Sequence, residues 1–240
     1  MTDSDIRFFC MKMLSFTEIV CKKCHDSYEN NVYVIYEFLR IVCIIRISLK
    51  VMVEKMVLLL GGLSFLLMIF YDVNQIKFHL SIGKWAFALG SLLLSIVSIY
   101  LIFYHREGLF HAGIWQWIFL GISFLFLVLL VYTLFFALPF DSTYVKQSDQ
   151  MVYDQGVYAL SRHPGILWFF LFYLFLTLAL SSMEVGAACV VFSSLNLAYA
   201  YIQDVYIFPK QLSGYESYQK RVPFIIPTSQ SIKACFKNKR

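Results

Sequence analysis

The chain has 240 residues, 60% of them hydrophobic and 15% charged, with a formal net charge of +5. A soluble domain carries about 25% charged residues; here the apolar residues gather in long blocks almost free of charge, which excludes a soluble core. In hydrocarbon only helices and closed barrels satisfy their own backbone polar groups, and blocks that run on without alternation specify helices. The expected fold class is all-α: a polytopic transmembrane helical bundle of about five spans, with a C-terminal helical hairpin and cytoplasmic tail forming the site. Neither a linker-like stretch nor an internal repeat divides residues 56–240, read as one membrane domain.

Residues 1–55 are set apart as an N-terminal segment. Within it, Cys21-Lys-Lys-Cys-His25 has the spacing of covalent c-type haem attachment. That chemistry needs a second axial ligand, and none stands out nearby. A metal or redox pair is a further alternative, an incidental cluster is the preferred reading, and no metal is expected. Cys10, Cys43, Cys189 and Cys235 are scattered and suggest no disulfide framework. Residues 33–55 are apolar but interrupted by Arg40, Arg46 and Lys50. Three readings stay open for them: an amphipathic interfacial helix, a poor sixth span, or residues upstream of a true start at Met52 or Met56.

The first span is expected over about Val57–Tyr71, with an earlier start left open; it is short and contains Gly61-Gly62. The second covers Trp85–Tyr104, the third Ile114–Leu138, the fourth Gly165–Met183 and the fifth Val185–Gln203. Trp85, Tyr104, Trp115, Trp117, Trp168, Tyr199 and Tyr201 lie near block ends, the aromatic belt expected at headgroup depth. After Asp204 the tail carries Lys210, Lys220, Arg221, Lys233, Lys237, Lys239 and Arg240. By the positive-inside rule the C-terminus is cytoplasmic, and the protein is integral to the cell (inner) membrane. The loop 139–164 and the one holding Lys77 and Lys84 then lie inside. The loop around Arg106 and the turn Ser181-Ser182-Met183-Glu184 lie outside. The basic tail suits anionic membrane lipid, and no nucleic-acid partner is expected. His105 and His111, in the outer loop, make no metal pattern.

The most polar triplet next to an apolar block is Arg162-His163-Pro164, at the mouth of the fourth span. The turn at 181–184 is too short to do more than reverse the chain, so the fourth and fifth spans form an antiparallel hairpin. Each has about 19 residues, or about 28 Å at 1.5 Å per residue. Arg162 and His163, before one helix, and Asp204, after the other, therefore emerge on the same face. Pro164 suits the first helical position, and the helix start beside Arg162 is an anion site. The end of the fifth span, with Asp204, favours a cation. Adjacent pockets of opposite sign suit a zwitterion. On the residues alone, lipid-phosphate binding by Arg162, anchoring by Tyr158 and Trp168, and capping by His163 are also open.

The segment Tyr158-Ala-Leu-Ser-Arg-His-Pro164 resembles the Arg-His-Pro motif of the isoprenylcysteine carboxyl methyltransferase and phospholipid methyltransferase superfamily. There a second motif follows one hairpin later: two acidic residues, Phe-Gly, two tyrosines three apart, Val-Pro and a later Pro. This chain has Gln203-Asp204, then Tyr215, Tyr218, Val222-Pro223 and Pro227 at that spacing. The resemblance covers about 155–227, as judged from those motif positions. One acid is replaced by Gln203, Phe-Gly by Gln211-Leu212, and the usual residues after Arg-His-Pro by Gly165-Ile166.

The resemblance implies methyl transfer from S-adenosylmethionine to a lipophilic small-molecule or lipidated acceptor. It places Tyr158, Arg162, His163, Pro164, Gln203, Asp204, Tyr215 and Tyr218 around the cofactor, with Arg162 and Asp204 catalytic. Arg162, His163 and the helix start would hold the cofactor's carboxylate or ribose region, Asp204 would balance its amino or sulfonium charge, and the two tyrosines would close the pocket. Membrane sterol reductases resemble the same C-terminal region and bind a reduced nicotinamide dinucleotide. A catalytically inactive lipid- or partner-binding relative is the third reading.

Overall fold

A computed structural model describes residues 29–110, 113–137 and 151–237. Cys10, the Cys21-Cys24-His25 cluster, His111, Leu138, Lys239, Arg240 and residues 139–150 of the 139–164 loop lie outside the described residues. The chain divides into two compact units, Met1–Val57 and Leu58–Arg240. Among the described residues no strand forms, and helices make up the fold.

The described part of the first unit is helical, the opening of a 45-residue helix α1 (Glu29–Val73). Two expectations are corrected here. The helix does not start near Val57, because Arg and Lys are good helix formers and Arg40, Arg46 and Lys50 do not interrupt it. Lys50 instead meets Glu54 one turn on, at 3.7 Å. Cys43 is disulfide-bonded, although the cysteine spacings suggest no framework; spacing alone does not determine pairing.

In the second unit the further helices include α2 (Ala86–His105), α3 (Ile114–Val131), α4 (Val157–Leu160), α5 (Pro164–Leu180), α6 (Met183–Ile202), α7 (Tyr215–Arg221) and α8 (Ser229–Lys237), with single turns at Glu107–Phe110 and Phe208–Gln211. Four helical stretches among the described residues are long and apolar enough to cross a membrane: Phe38–Phe78, Ser81–His105, Ile114–Phe136 and Met183–Gln211. They expose large apolar side chains such as Leu59, Ile82, Trp115 and Phe124. A water-soluble protein does not present so much contiguous apolar surface. The chain is an all-α helical bundle and an integral membrane protein.

The expected fourth span is shorter than its apolar block. Helix α5 has 17 residues, about 26 Å at 1.5 Å per residue, and Ser181 stops it in a left-handed conformation (φ 50°). It sits at the centre of its unit. Phe169 meets Phe65 of α1 edge-on, Trp168 stacks on Phe126 of α3, and Tyr173 packs on Phe192 of α6. Polar links add to this: Ser98 and Tyr173 hydroxyls lie 2.6 Å apart, and Ser123 donates to the Phe172 carbonyl at 2.9 Å. Buried bonds of this kind, at membrane depth, fix which faces meet.

Glycine marks the close approaches. At Gly90 of α2 a Cβ would come within 2.7 Å of the Ser64 carbonyl oxygen of α1. A Cβ at Gly61 would overlap the Phe192 ring. The Gly61-Gly62 pair therefore brings helices together and does not break α1.

Three spans widen into π-helical turns at the same point of their course: Asn74–Phe78 after α1, Tyr132–Phe136 after α3 and Gln203–Ile207 after α6. The expected loop around Lys77 and Lys84 is thus helical on both sides, and the fifth span does not stop at Gln203. It continues through the π turn into a helical turn at Phe208–Gln211. The C-terminal charge expected of a helix ending before Asp204 is accordingly absent there. His105, expected in a loop, is the last residue of α2, with Nδ1 3.2 Å from the Ser182 hydroxyl.

Candidate functional site

The hairpin is as short as its sequence requires. Ser182 caps α6, accepting from the Val185 amide at 3.3 Å, and α5 and α6 pack side by side. Pro164 opens α5 at its first turn, where the missing N–H leaves no bond unmade. Arg162, His163 and Asp204 are brought together as expected, and the contact is direct.

Asp204 lies inside the π turn, 5% exposed. Its Oδ2 accepts from Arg162 Nη1 at 2.9 Å and from Gln219 Nε2 at 2.9 Å. Its Oδ1 accepts from Tyr215 Oη at 2.5 Å and lies 3.2 Å from His163 Nε2. A carboxylate only accepts, so Nε2 carries the proton. An ionised carboxylate has about four lone-pair sites, and all four are taken by this chain. Asp204 thus orients Arg162 and His163 and offers no free lone pair to a ligand.

The tail completes the arrangement from behind. Gly214 takes a left-handed conformation (φ 81°) that turns the chain into α7. Tyr215 then reaches Asp204, and Tyr218 Oη donates to the Tyr158 carbonyl at 2.7 Å. Tyr158 Oη in turn donates to the Thr133 carbonyl within the α3 π turn, at 2.9 Å. Burial, and then the hydrogen bond to Asp204, push the Tyr215 hydroxyl above its ordinary pKa. Burial does the same to Tyr218. Both act as neutral donors.

Beyond α7 the chain returns as a strap. The Pro223 carbonyl accepts from the Arg162 amide at 2.9 Å, and that of Phe224 from the His163 amide at 3.1 Å and the Ser161 hydroxyl at 2.9 Å. The Phe224 ring meets His163 edge-on at 5.0 Å and lies 5.5 Å from the Arg162 guanidinium carbon. Phe208 stacks parallel to His163 on its other side, at 5.8 Å. The two halves of the motif are therefore physically one cluster.

That cluster stands at the wall of a cavity of about 600 Å³. Tyr158, Arg162, His163, Pro164 and Gln203 line it, along with Phe65, Phe169 and other predominantly apolar side chains of α1, α2, α3, α5 and α6. Tyr215 and Tyr218 are not at that wall; they support the cluster from its far side. Arg162 Nε is buried with no hydrogen-bond partner, so the guanidinium has donor capacity unused by the protein.

Two site residues carry no sequence signal. Gln219 binds Asp204 as described. Asp72, 7% exposed near the end of α1, accepts at one oxygen from Tyr199 Oη and Gln203 Nε2, both at 2.8 Å. Gln203 is thus turned toward Asp72 and not toward its neighbour Asp204. Among the described residues no three His, Cys, Asp or Glu side chains gather as a metal site.

No protein-family model matches the chain, and no curated protein and no solved structure matches it.

Proposed function

We propose that the protein is a membrane methyltransferase of the isoprenylcysteine carboxyl methyltransferase and phospholipid methyltransferase type, using S-adenosylmethionine on a lipophilic or membrane-presented acceptor. The observation that carries this reading is the buried Arg162–His163–Asp204 cluster. It joins both halves of the sequence motif at the edge of an apolar cavity. A volume of about 600 Å³ falls in the range of small-molecule sites, about 300–1,000 Å³. Arg162, on the cavity wall, fits an anionic group of the cofactor.

When bound, S-adenosylmethionine supplies an electrophilic methyl group. The protein's own work is positional. Arg162 and His163, held by Asp204 and the Pro223–Phe224 strap, form the polar end of the cavity. The apolar walls take the acceptor and exclude water. Holding two reactants in line is the largest lever open to such a site. The basic residues of the tail favour the cytoplasmic side of the cell (inner) membrane for this end of the bundle under the positive-inside rule, and a water-soluble cofactor would have access there.

The complete occupation of Asp204 by protein donors favours a second reading, a lipid-binding relative without activity. Calorimetry on the detergent-solubilised protein tests both, with S-adenosylmethionine and a reduced nicotinamide dinucleotide as titrants. Saturable binding of the first, weakened in Arg162→Lys, is expected. Binding of the nicotinamide alone would make the protein a reductase, and binding of neither would favour the inactive relative.

A further inference from the structure

The two carboxylates beside the cavity are treated very differently. Asp204 meets a guanidinium and an imidazole. Asp72 meets only neutral donors, and both of them, from Tyr199 and Gln203, converge on one of its oxygens. No ion pair to Asp72 forms among the described residues. An ionisable side chain within a membrane-spanning helix is costly and ordinarily has a partner or a function. A buried charge without a counter-charge is among the most destabilising features a fold can hold.

The geometry directs this charge at the cavity. Tyr199, in the last turn of α6, and Gln203, first residue of the π turn that follows, are four residues apart, and both line the cavity that Arg162 and His163 also line. Because a carboxylate only accepts, the Gln203 amide must turn its NH₂ toward Asp72. Its carbonyl oxygen is left as an acceptor on a cavity-lining side chain. One stretch of wall therefore sets an acceptor in front of the Asp72 carboxylate, while Arg162, paired with Asp204, stands on another. Phe65, Phe169 and Phe208 are also in the lining, and aromatic rings can attract cations.

We infer that Asp72, acting through Tyr199 and Gln203, forms the subsite for the cationic centre of the bound ligand, with Arg162 at the ligand's anionic end. This rests on the function proposed above, under which the cation is the sulfonium of S-adenosylmethionine. Asp72 is a positioning residue: it fixes the Gln203 amide and supplies the charge.

The test compares S-adenosylmethionine with S-adenosylhomocysteine, which lacks the methyl group and its positive charge, by calorimetry on the full chain in detergent. The wild type is expected to bind both, the sulfonium about tenfold more tightly, the scale of one charge-assisted contact. Asp72→Asn keeps the shape and an acceptor for Tyr199. It is expected to bring the two affinities together by weakening S-adenosylmethionine alone. Should that variant fail to fold, Gln203→Met is expected to lower the same ratio several-fold, since it removes the acceptor at the wall. Equal affinities in the wild type, or an unchanged ratio in a folded variant, would overturn this inference and leave the proposed function standing. Binding of neither compound would overturn both.

Discussion

Gln219 holds Asp204 at two points, donating from Nε2 to the carboxylate at 2.9 Å and to the main-chain carbonyl at 3.0 Å. The second bond explains how a π turn is tolerated in the middle of a helix. Widening the turn frees carbonyls from the regular ladder, and a freed carbonyl out of water must find another donor. Thr133 shows the same solution, with the Tyr158 hydroxyl as donor.

Gln219→Leu removes both bonds while keeping the side chain's bulk. It should lower stability by about 1–3 kcal/mol, the cost of leaving buried acceptors unpaired. Thermal unfolding in detergent reads this out, and Gln219→Glu should be at least as harmful, because it sets a second carboxylate against Asp204.

Arg162→Ala leaves Asp204 buried without its cation, a loss of about 3–5 kcal/mol. Adding Asp204→Asn should recover part of that loss, so the double variant unfolds at a higher temperature than Arg162→Ala alone. Cofactor binding should stay absent in both. A double-mutant cycle on unfolding midpoints separates the coupling from the two single effects.

Alkaline pH should loosen the tail. Tyr215 has a folded-state pKa raised above the ordinary value of about 10, so the folded protein holds this proton where the unfolded chain releases it. Its contribution is fully present below about pH 10 and is lost as the pH rises toward the higher folded value. Unfolding midpoints measured from pH 8 upward should fall above about pH 10. They should fall less steeply in Tyr215→Phe, with Tyr218 responsible for part of the remaining slope.

Gly61→Ala forces a methyl group against the Phe192 ring. Overpacking of this kind costs about 1–3 kcal/mol. Phe192→Leu should relieve it, making the pair less destabilised than the sum of the two single substitutions.

The convergence of Arg162 with Asp204 was legible because it needs only a short turn and two helices of similar length. Both are visible in the apolar blocks and in Ser181–Glu184. The π turn was not legible, since Gln203–Ile207 has no local pattern that separates it from a regular helix, and the expected helix end before Asp204 was lost with it. Asp72 was invisible for another reason. It reads as the polar edge of an apolar block, and its partners Tyr199 and Gln203 lie 127 and 131 residues away. Gln219 sits between motif residues that draw the eye. Its role depends on the freed carbonyl at 204, which only the backbone reveals. The shortness of α5 follows from Ser181, whose left-handed backbone ends the helix before the apolar run has finished.

The strap at Pro223 and Phe224 imposes an order in time. Synthesis proceeds from the N-terminus at about 5–20 residues per second. The ribosome therefore completes α5 and α6 roughly one to a few seconds before the carbonyls that grip Arg162 and His163 exist. Through that interval the hairpin carries a guanidinium and a carboxylate without the strap around them, and at its start without Tyr215 and Gln219 as well. A chain interrupted before residue 222 would leave the Arg162 and His163 amides and the Ser161 hydroxyl without the carbonyls that accept from them.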